Sequence, residues 1–181
     1  MSTRLAAKKE DEKVLTQLVR EAKKDRTINF NQNLFFYLVA LVSTILPSYL
    51  FQGVLNLEFT GGTILLFLIV SCVSAYFLSK AYVFNYLRKK PILTDNYEKI
   101  VTNAKGSFNK KDKEEAYAKK DKLAELGATG HALFISNIIF FALVLFFSFY
   151  SLKRIDVRIN YVASLLLSSF GVNYISKPRS A

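Results

Sequence analysis

Apolar positions in this chain form four long runs that contain no Asp, Glu, Lys or Arg. The runs are Thr27–Leu57, Phe59–Ser79, Ala132–Leu152 and Ile159–Ser176. A helix needs roughly 20 apolar residues, at a rise of about 1.5 Å per residue, to cross a hydrocarbon core about 30 Å thick. A soluble amphipathic helix would show polar positions every three or four residues, and these runs do not. The pattern predicts an all-α membrane protein with four transmembrane helices.

Basic residues are distributed very unequally between the polar segments that flank these runs. Of the 25 Lys and Arg residues, eight precede the first run, eleven lie in Asn85–His131 and none lies in Asn56–Gly62. Cytoplasmic loops collect Lys and Arg, so we expect both termini and the middle loop in the cytosol and both short turns on the opposite side. The flanks of the fourth run are nearly balanced, with three basic residues against two. The charges beside the fourth run therefore do not decide its crossing. We expect it to cross because the three spans before it leave the chain on the non-cytosolic side.

The same boundaries predict five segments. They are a cytosolic amphipathic segment at 1–33, a transmembrane hairpin at 34–84, a basic cytosolic helical hairpin at 85–131, a second transmembrane hairpin at 132–176 and a cytosolic tail at 177–181. Within the first segment, Glu10–Lys24 places its apolar residues on one side of a helix, suited to docking on lipid or on a protein. No apolar stretch precedes Leu34, so we expect no cleaved signal peptide.

Local signals divide the middle loop into helices. We expect Pro91 to end the helix that continues from the second run. A short helix capped by Thr94 or Asp95 would follow. A longer helix would then begin near Lys110 and end at Gly127, since glycine is a common helix terminator. The loop is too short for a core of its own, which predicts a cytosolic helical hairpin standing on the membrane.

The longer loop helix carries the candidate binding site. At about 100° per residue, Lys110, Lys113, Tyr117 and Lys120 lie along one stripe of the helix. Three further lysines, Lys111, Lys119 and Lys122, lie around the rest of it. Such a stripe suits a phosphate backbone, since Lys neutralises phosphate without reading sequence. Two other interpretations stay open: a solvated helix held by Glu–Lys pairs, and a helix attracted to anionic lipid.

Residues for catalysis or metal binding are scarce. Cys72 and His131 are the single cysteine and the single histidine, so neither a zinc site nor a Cys–His nucleophile can be assembled. The turns predicted on the non-cytosolic side offer only Glu58 and Asp156, which are too few carboxylates for calcium. We therefore expect no enzyme activity, no cofactor and no metal.

Polar residues within the runs are few and uncharged. Ionisable side chains inside a bundle usually mark an ion pathway, and their scarcity leaves transport unsupported. We expect Asn137, Asn160 and Asn173 to form hydrogen bonds between helices. Ser164 and Ser168 have the spacing that allows close helix approach, and we expect that face to pack against the other spans.

Two stretches of the chain resemble a known family. KKDKLAELGATGHALFISN, at Lys119–Asn137, and INYVASLLLSSFG, at Ile159–Gly171, are similar to the gamma subunit of the translocon-associated protein complex, also called signal sequence receptor gamma. The four-span layout and the basic cytosolic loop resemble that subunit as well. The resemblance covers most of the chain from about Val14 onward.

What the resemblance implies is a non-enzymatic protein of the endoplasmic reticulum membrane. It would form a hetero-oligomer with the other subunits of the translocon-associated protein complex, beside the Sec translocon and the translating ribosome, in contact with membrane lipid. The family's gamma subunit reaches the large ribosomal subunit from the cytosolic side, which favours contact of the Lys110–Lys122 stripe with rRNA or a ribosomal protein. The alternative is a small four-span transporter-like or membrane-shaping protein.

Overall fold

A computed structural model describes residues 28–56, 60–103 and 110–178, with the backbone alone for residues 98–103 and 110–118. In these ranges the chain is helical. The elements are α1 (Phe30–Leu55), α2 (Gly61–Asn103), α3 (Lys110–Phe146), a π-helical segment (Phe147–Ser151) and α4 (Val157–Ser176). The predicted all-α class is confirmed in this part of the chain. The amphipathic segment predicted at Glu10–Lys24 lies outside it.

Within the described residues, three helices are long and apolar enough to cross a membrane. They are α1, the Gly61–Tyr97 part of α2, and Lys119–Ser151, which joins most of α3 to the π-helical segment. The helix α4 is not among them, so the fourth span stays a prediction from the sequence.

The helices α2 and α3 form a long antiparallel pair. Asn85 of α2 meets Ser136 of α3, and Leu93 of α2 lies beside Gly127 of α3. Rising numbers on one helix therefore pair with falling numbers on the other. Both helices continue past their apolar parts, so that α2 has 43 residues in all and α3 has 37. We call their charged ends, residues 85–103 of α2 and 110–131 of α3, the α2–α3 extension.

The predicted helix ends at Pro91 and Gly127 are wrong. α2 continues through Pro91, and the hydroxyl of Thr94 donates to the carbonyl of Lys90 at 3.0 Å instead of capping a new helix. Gly127 has no positive φ, and a Cβ built on it would lie 3.2 Å from Leu93 Cδ1. Because Gly127 has no side chain, α2 can approach α3 closely at this level. Packing of the two helices against each other thus outweighs the local helix-breaking tendencies.

The fourth helix, α4, runs parallel to α2 and contacts both α2 and α3. Tyr161, near its start, lies beside Ser71 of α2, and Ser176, at its end, lies beside Asn85 of α2. Helix α1 joins this group through its side chains: the rings of Phe36 and Phe51 contact aromatic residues of α2 and α4.

Local signals set the helix ends on the side opposite the α2–α3 extension. α1 ends before Asn56, whose φ of 50° lies in the left-handed region that Asn tolerates. α2 begins after Thr60, whose N–H donates to Thr63 Oγ1 at 2.7 Å, as in a capping box. Asp156 caps α4 by accepting a hydrogen bond of 2.9 Å from the N–H of Arg158.

Large apolar side chains are exposed along the helices, while many small polar ones are buried. The exposed set includes Leu38, Val42, Leu46, Leu65, Leu68, Ile69, Phe134, Ile138, Leu145 and Phe170. The buried set includes Ser43, Thr44, Ser71, Ser74, Ser136, Ser148, Ser164, Ser168 and Ser169. A protein folding in water places these classes the other way round, because burial of apolar surface drives its folding.

Candidate contact helix and polar interior

The inner face of α3 follows a spacing of four residues. The buried positions are Lys120, Ala124, Ala128, Ala132, Ser136, Phe140, Val144 and, in the π-helical segment, Ser148. Four residues turn the helix about 400°, so this stripe winds slowly around α3. It faces α2 near the extension, where Ser136 meets Asn85, and α4 at the other end, where the Ser148 carbonyl meets Asn160. Small residues in its first half let the α2 and α3 backbones approach closely.

All seven predicted contact residues lie on α3. The structure describes the side chains of three of them: Lys119 and Lys122 are exposed, whereas Lys120 is 7 % exposed. Lys120 occupies the outermost position of the buried stripe, so it does not lie on a fully solvated face of the helix. Lys110, Lys111, Lys113 and Tyr117 lie on the first turns of α3, where only the backbone is described.

Polar contacts fasten the extension of α2 to that of α3. The hydroxyl of Tyr86 donates to Glu125 Oε1 at 3.2 Å, and the ammonium group of Lys90 lies 5.7 Å from the centre of the Tyr86 ring. Lys90 and Tyr86 both belong to α2, so this cation–π contact lies within that helix. The Tyr86–Glu125 bond, together with Leu93 against Gly127, joins the two helices where the charged extension begins.

Asn85 connects three helices in the interior. Its Nδ2 donates to Ser136 Oγ of α3 at 2.8 Å and to Ser176 Oγ of α4 at 3.0 Å. Its Oδ1 accepts a hydrogen bond of 3.1 Å from Arg88. Asn85 is 3 % exposed, so all of these bonds satisfy polar atoms that water does not reach.

The three asparagines predicted to link helices do so. Tyr82 donates to Asn137 Oδ1 at 2.6 Å, joining α2 to α3. Asn173 donates to the carbonyl of Phe77 at 3.2 Å, joining α4 to α2. Asn160 of α4 donates to the Ser148 carbonyl at 3.0 Å, within the π-helical segment. The prediction of hydrogen bonds between helices is confirmed.

Tyr161 of α4 joins helices at the opposite end of the bundle, as Asn85 does near the extension. Its ring lies 5.1 Å from that of Phe51 in α1 and 4.3 Å from that of Phe67 in α2, between ring centres. Its hydroxyl lies 3.4 Å from Ser71 Oγ. Ser164 and Ser168, on the same helix, are fully buried, as predicted for a face that packs inside the chain.

Potential reactive residues lie apart. Cys72 is exposed on α2, and within the described residues no three His, Cys, Asp or Glu side chains come together as metal ligands would.

Sequence reasoning missed two features of this interior. The charge pattern places Tyr82 and Asn85 at the end of a span and in the loop after it, although they lie on a buried face of α2. The signal was the aromatic-rich stretch that continues the apolar pattern past Lys80. The second missed signal was the repeat of small residues at Ala124, Ala128 and Ala132, four apart, which marks a close helix contact.

An interior of small hydroxyl-bearing side chains, a surface of large apolar ones and helices of spanning length define the chain as a multi-helix membrane protein. The described contacts are of the kind that assembles a helical bundle. A family model for the translocon-associated protein, gamma subunit, matches residues 10–177. The chain belongs to this family, as the resemblance predicted.

Family membership places the chain in the translocon-associated protein complex. The family consists of non-catalytic translocon-associated subunits. It also implies residence in the membrane of the endoplasmic reticulum, which agrees with the apolar helices.

Proposed function

We propose that this chain links the Sec translocon and the translating ribosome, as a four-span subunit that assists protein translocation at the endoplasmic reticulum. In this proposal the helical bundle lies in the membrane beside the translocon and the other subunits of its complex. The extension of α2 and α3 stands in the cytosol and contacts the large ribosomal subunit through the lysines of α3.

The packing of α4 supports a fourth span. The helix has 20 residues, about 30 Å of length, which matches a hydrocarbon core. Its contacts with α2 extend from Ser71 to Asn85, roughly 21 Å along that helix. Since this part of α2 lies within a helix of spanning length, these contacts support a crossing by α4 at the same depth.

The orientation follows from the charges. With four spans, both termini and the α2–α3 extension share one side, and that side carries most of the Lys and Arg residues. The exposed basic residues Lys153, Arg154 and Arg158 occupy the opposite end. They are fewer, so we place that end in the lumen.

One observation carries the ribosome contact: α2 and α3 continue without a break from the bundle into the extension. From Ala132 to Lys110 the α3 helix is about 33 Å long at 1.5 Å per residue. The Tyr86–Glu125 bond holds the two helices together near the base. A continuous helix presents its lysines at a fixed distance from the membrane, which suits a large partner bound above it.

The test is charge reversal on the outer part of α3. Lys110→Glu, Lys113→Glu and Lys122→Glu are combined in the full-length chain within its detergent-solubilised complex, and cosedimentation with ribosomes is measured against salt. Lys120 is left unchanged because it is buried. We expect weaker binding and a log–log salt slope reduced by roughly two to three, at about 0.7–0.9 for each phosphate that is no longer neutralised.

The matched control reverses Lys153, Arg154 and Arg158 to Glu, three exposed residues at the other end of the bundle. This variant has the same change in net charge and should bind ribosomes as the parent does. Binding by the extension variant that equals the parent's at every salt concentration would contradict the ribosome contact. Weakened binding in both variants would show that net charge alone is responsible.

A further inference from the structure

Basic residues from three helices gather at the level where the apolar bundle meets the charged extension. Arg88 and Lys89 lie on α2, and His131 of α3 is close enough to interact electrostatically with both. Lys177 directly follows the last residue of α4, and that residue, Ser176, is bonded to Asn85. We call Arg88, Lys89, His131 and Lys177 the basic collar.

The guanidinium group of Arg88 is held in position by the interior. Arg88 Nη2 donates to Asn85 Oδ1 at 3.1 Å, and the amide nitrogen of Asn85 is fixed by Ser136 and Ser176. A guanidinium group has five N–H donors in a planar fork, so most of them stay available for another acceptor. Arg88 is exposed, which leaves this fork accessible.

The cationic side chains of Arg88, Lys89 and Lys177 give the collar an excess of positive charge, while His131 is neutral at pH 7. Within the described residues no carboxylate pairs with Arg88 or Lys89. Glu125, on the neighbouring part of α3, accepts a hydrogen bond from Tyr86 instead. Like charges placed together without a partner repel each other, and an anion at their centre relieves that repulsion.

An exposed apolar track continues from the collar along α3. Phe134 and Ile138 lie three and seven residues after His131, on the same face of the helix. They are 65 % and 49 % exposed. A cationic site with an apolar track beneath it matches a phospholipid, whose phosphate and acyl chain lie at these two depths.

We propose that the basic collar binds the phosphate of one anionic phospholipid, with Arg88 as the bidentate contact and Phe134 and Ile138 along an acyl chain. This site is separate from the lysines of the outer part of α3. It does not depend on the ribosome contact.

The experiment measures retention of phosphatidylinositol by the full-length chain, purified within its complex into nanodiscs of phosphatidylcholine with a minor fraction of phosphatidylinositol. Arg88→Gln combined with Lys89→Gln removes two charges of the collar. Each basic residue near an anionic lipid surface contributes about a fivefold change in affinity, so we expect affinity to fall roughly 25-fold. Lys153→Gln combined with Arg154→Gln is the matched control and should leave retention unchanged.

A second variant distinguishes a specific phosphate-binding site from non-specific electrostatic attraction to anionic lipid. Arg88→Lys keeps the charge and removes the fork, so affinity should fall severalfold if Arg88 binds the phosphate through two N–H groups. Retention equal to the parent's in the double variant, or an equal decrease in the Lys153 and Arg154 control, would overturn the proposal. Displacement of the lipid by a short RNA that binds the same residues would overturn it in favour of a nucleic-acid site.

Discussion

Asn85 of α2 donates a hydrogen bond of 3.0 Å to Ser176 of α4, although 91 positions separate them in the chain. The same amide group donates to Ser136 of α3 at 2.8 Å. One side chain therefore joins three helices at the level where the extension begins. This bond ties the end of α4 to α2.

Asn85→Leu should destabilise the bundle by about 1–2 kcal/mol, since it removes two hydrogen bonds between helices and leaves Ser136 and Ser176 without their donor. Unfolding of the purified protein in mixed micelles with increasing SDS measures this change. Asn96→Leu, on an exposed position of α2, is the control and should stay close to the parent. Equal effects of the two substitutions would count against the role of Asn85.

The two glycines of α3 should respond differently to a methyl group. Gly130→Ala should stabilise the helix by about 1 kcal/mol, because alanine is the better helix former and nothing lies within 4 Å of the new Cβ. Gly127→Ala should stabilise the protein clearly less than Gly130→Ala does, because the new Cβ would lie 3.2 Å from Leu93 Cδ1. The same SDS unfolding assay compares them.

A double-mutant cycle identifies the contact behind that difference. Leu93→Ala should cost less in the Gly127→Ala background than in the parent, because the methyl group fills part of the space that Leu93 leaves. Additive effects, or equal gains from the two glycine substitutions, would mean that α2 and α3 are farther apart at this level.

Glycosylation can test the orientation without background, because the sequence contains no Asn-x-Ser/Thr acceptor site. Acceptor sites in lengthened turns at Gly61 and at Asp156 should be modified in microsomes, whereas sites near Ser107 and after Lys177 should not. Mobility on a gel before and after deglycosylation gives the result. Modification near Ser107 would show that the proposed orientation is wrong. Modification of the tail alone would show that α4 does not cross.

The two neighbouring lysines Lys120 and Lys122 should differ in their tolerance of charge reversal. Lys120→Glu should destabilise the extension, because its position is 7 % exposed and an acidic group there loses hydration. Lys122→Glu, at an exposed position, should have an effect within about 0.5 kcal/mol. Limited proteolysis of the purified protein measures opening of the extension, and equal cleavage rates for the two variants would contradict the difference in burial.

Part of the interior was predictable from single residues. Asn137, Asn160 and Asn173 stand out in apolar runs, and an uncharged amide in such a run must find a hydrogen-bond partner. Their partners could not be predicted, because Tyr82, Ser148 and Phe77 become neighbours only through helix register. The contact helix was predicted by its lysines, but the burial of Lys120 depends on how α2 lies against α3.

Composition along the chain determined the class of protein and the approximate positions of its helices, because long uncharged runs have a stable place only in a hydrocarbon environment. The family was recognised from the likeness of particular stretches to known sequences. The extent of α2 and α3 was decided by tertiary structure alone. Pro91 and Gly127 are local stop signals, yet both helices continue past them because each packs along the other. Local propensities amount to a few kcal/mol at most. Packing between helices that are distant in the chain exceeds them, and this packing cannot be read from single residues of the sequence.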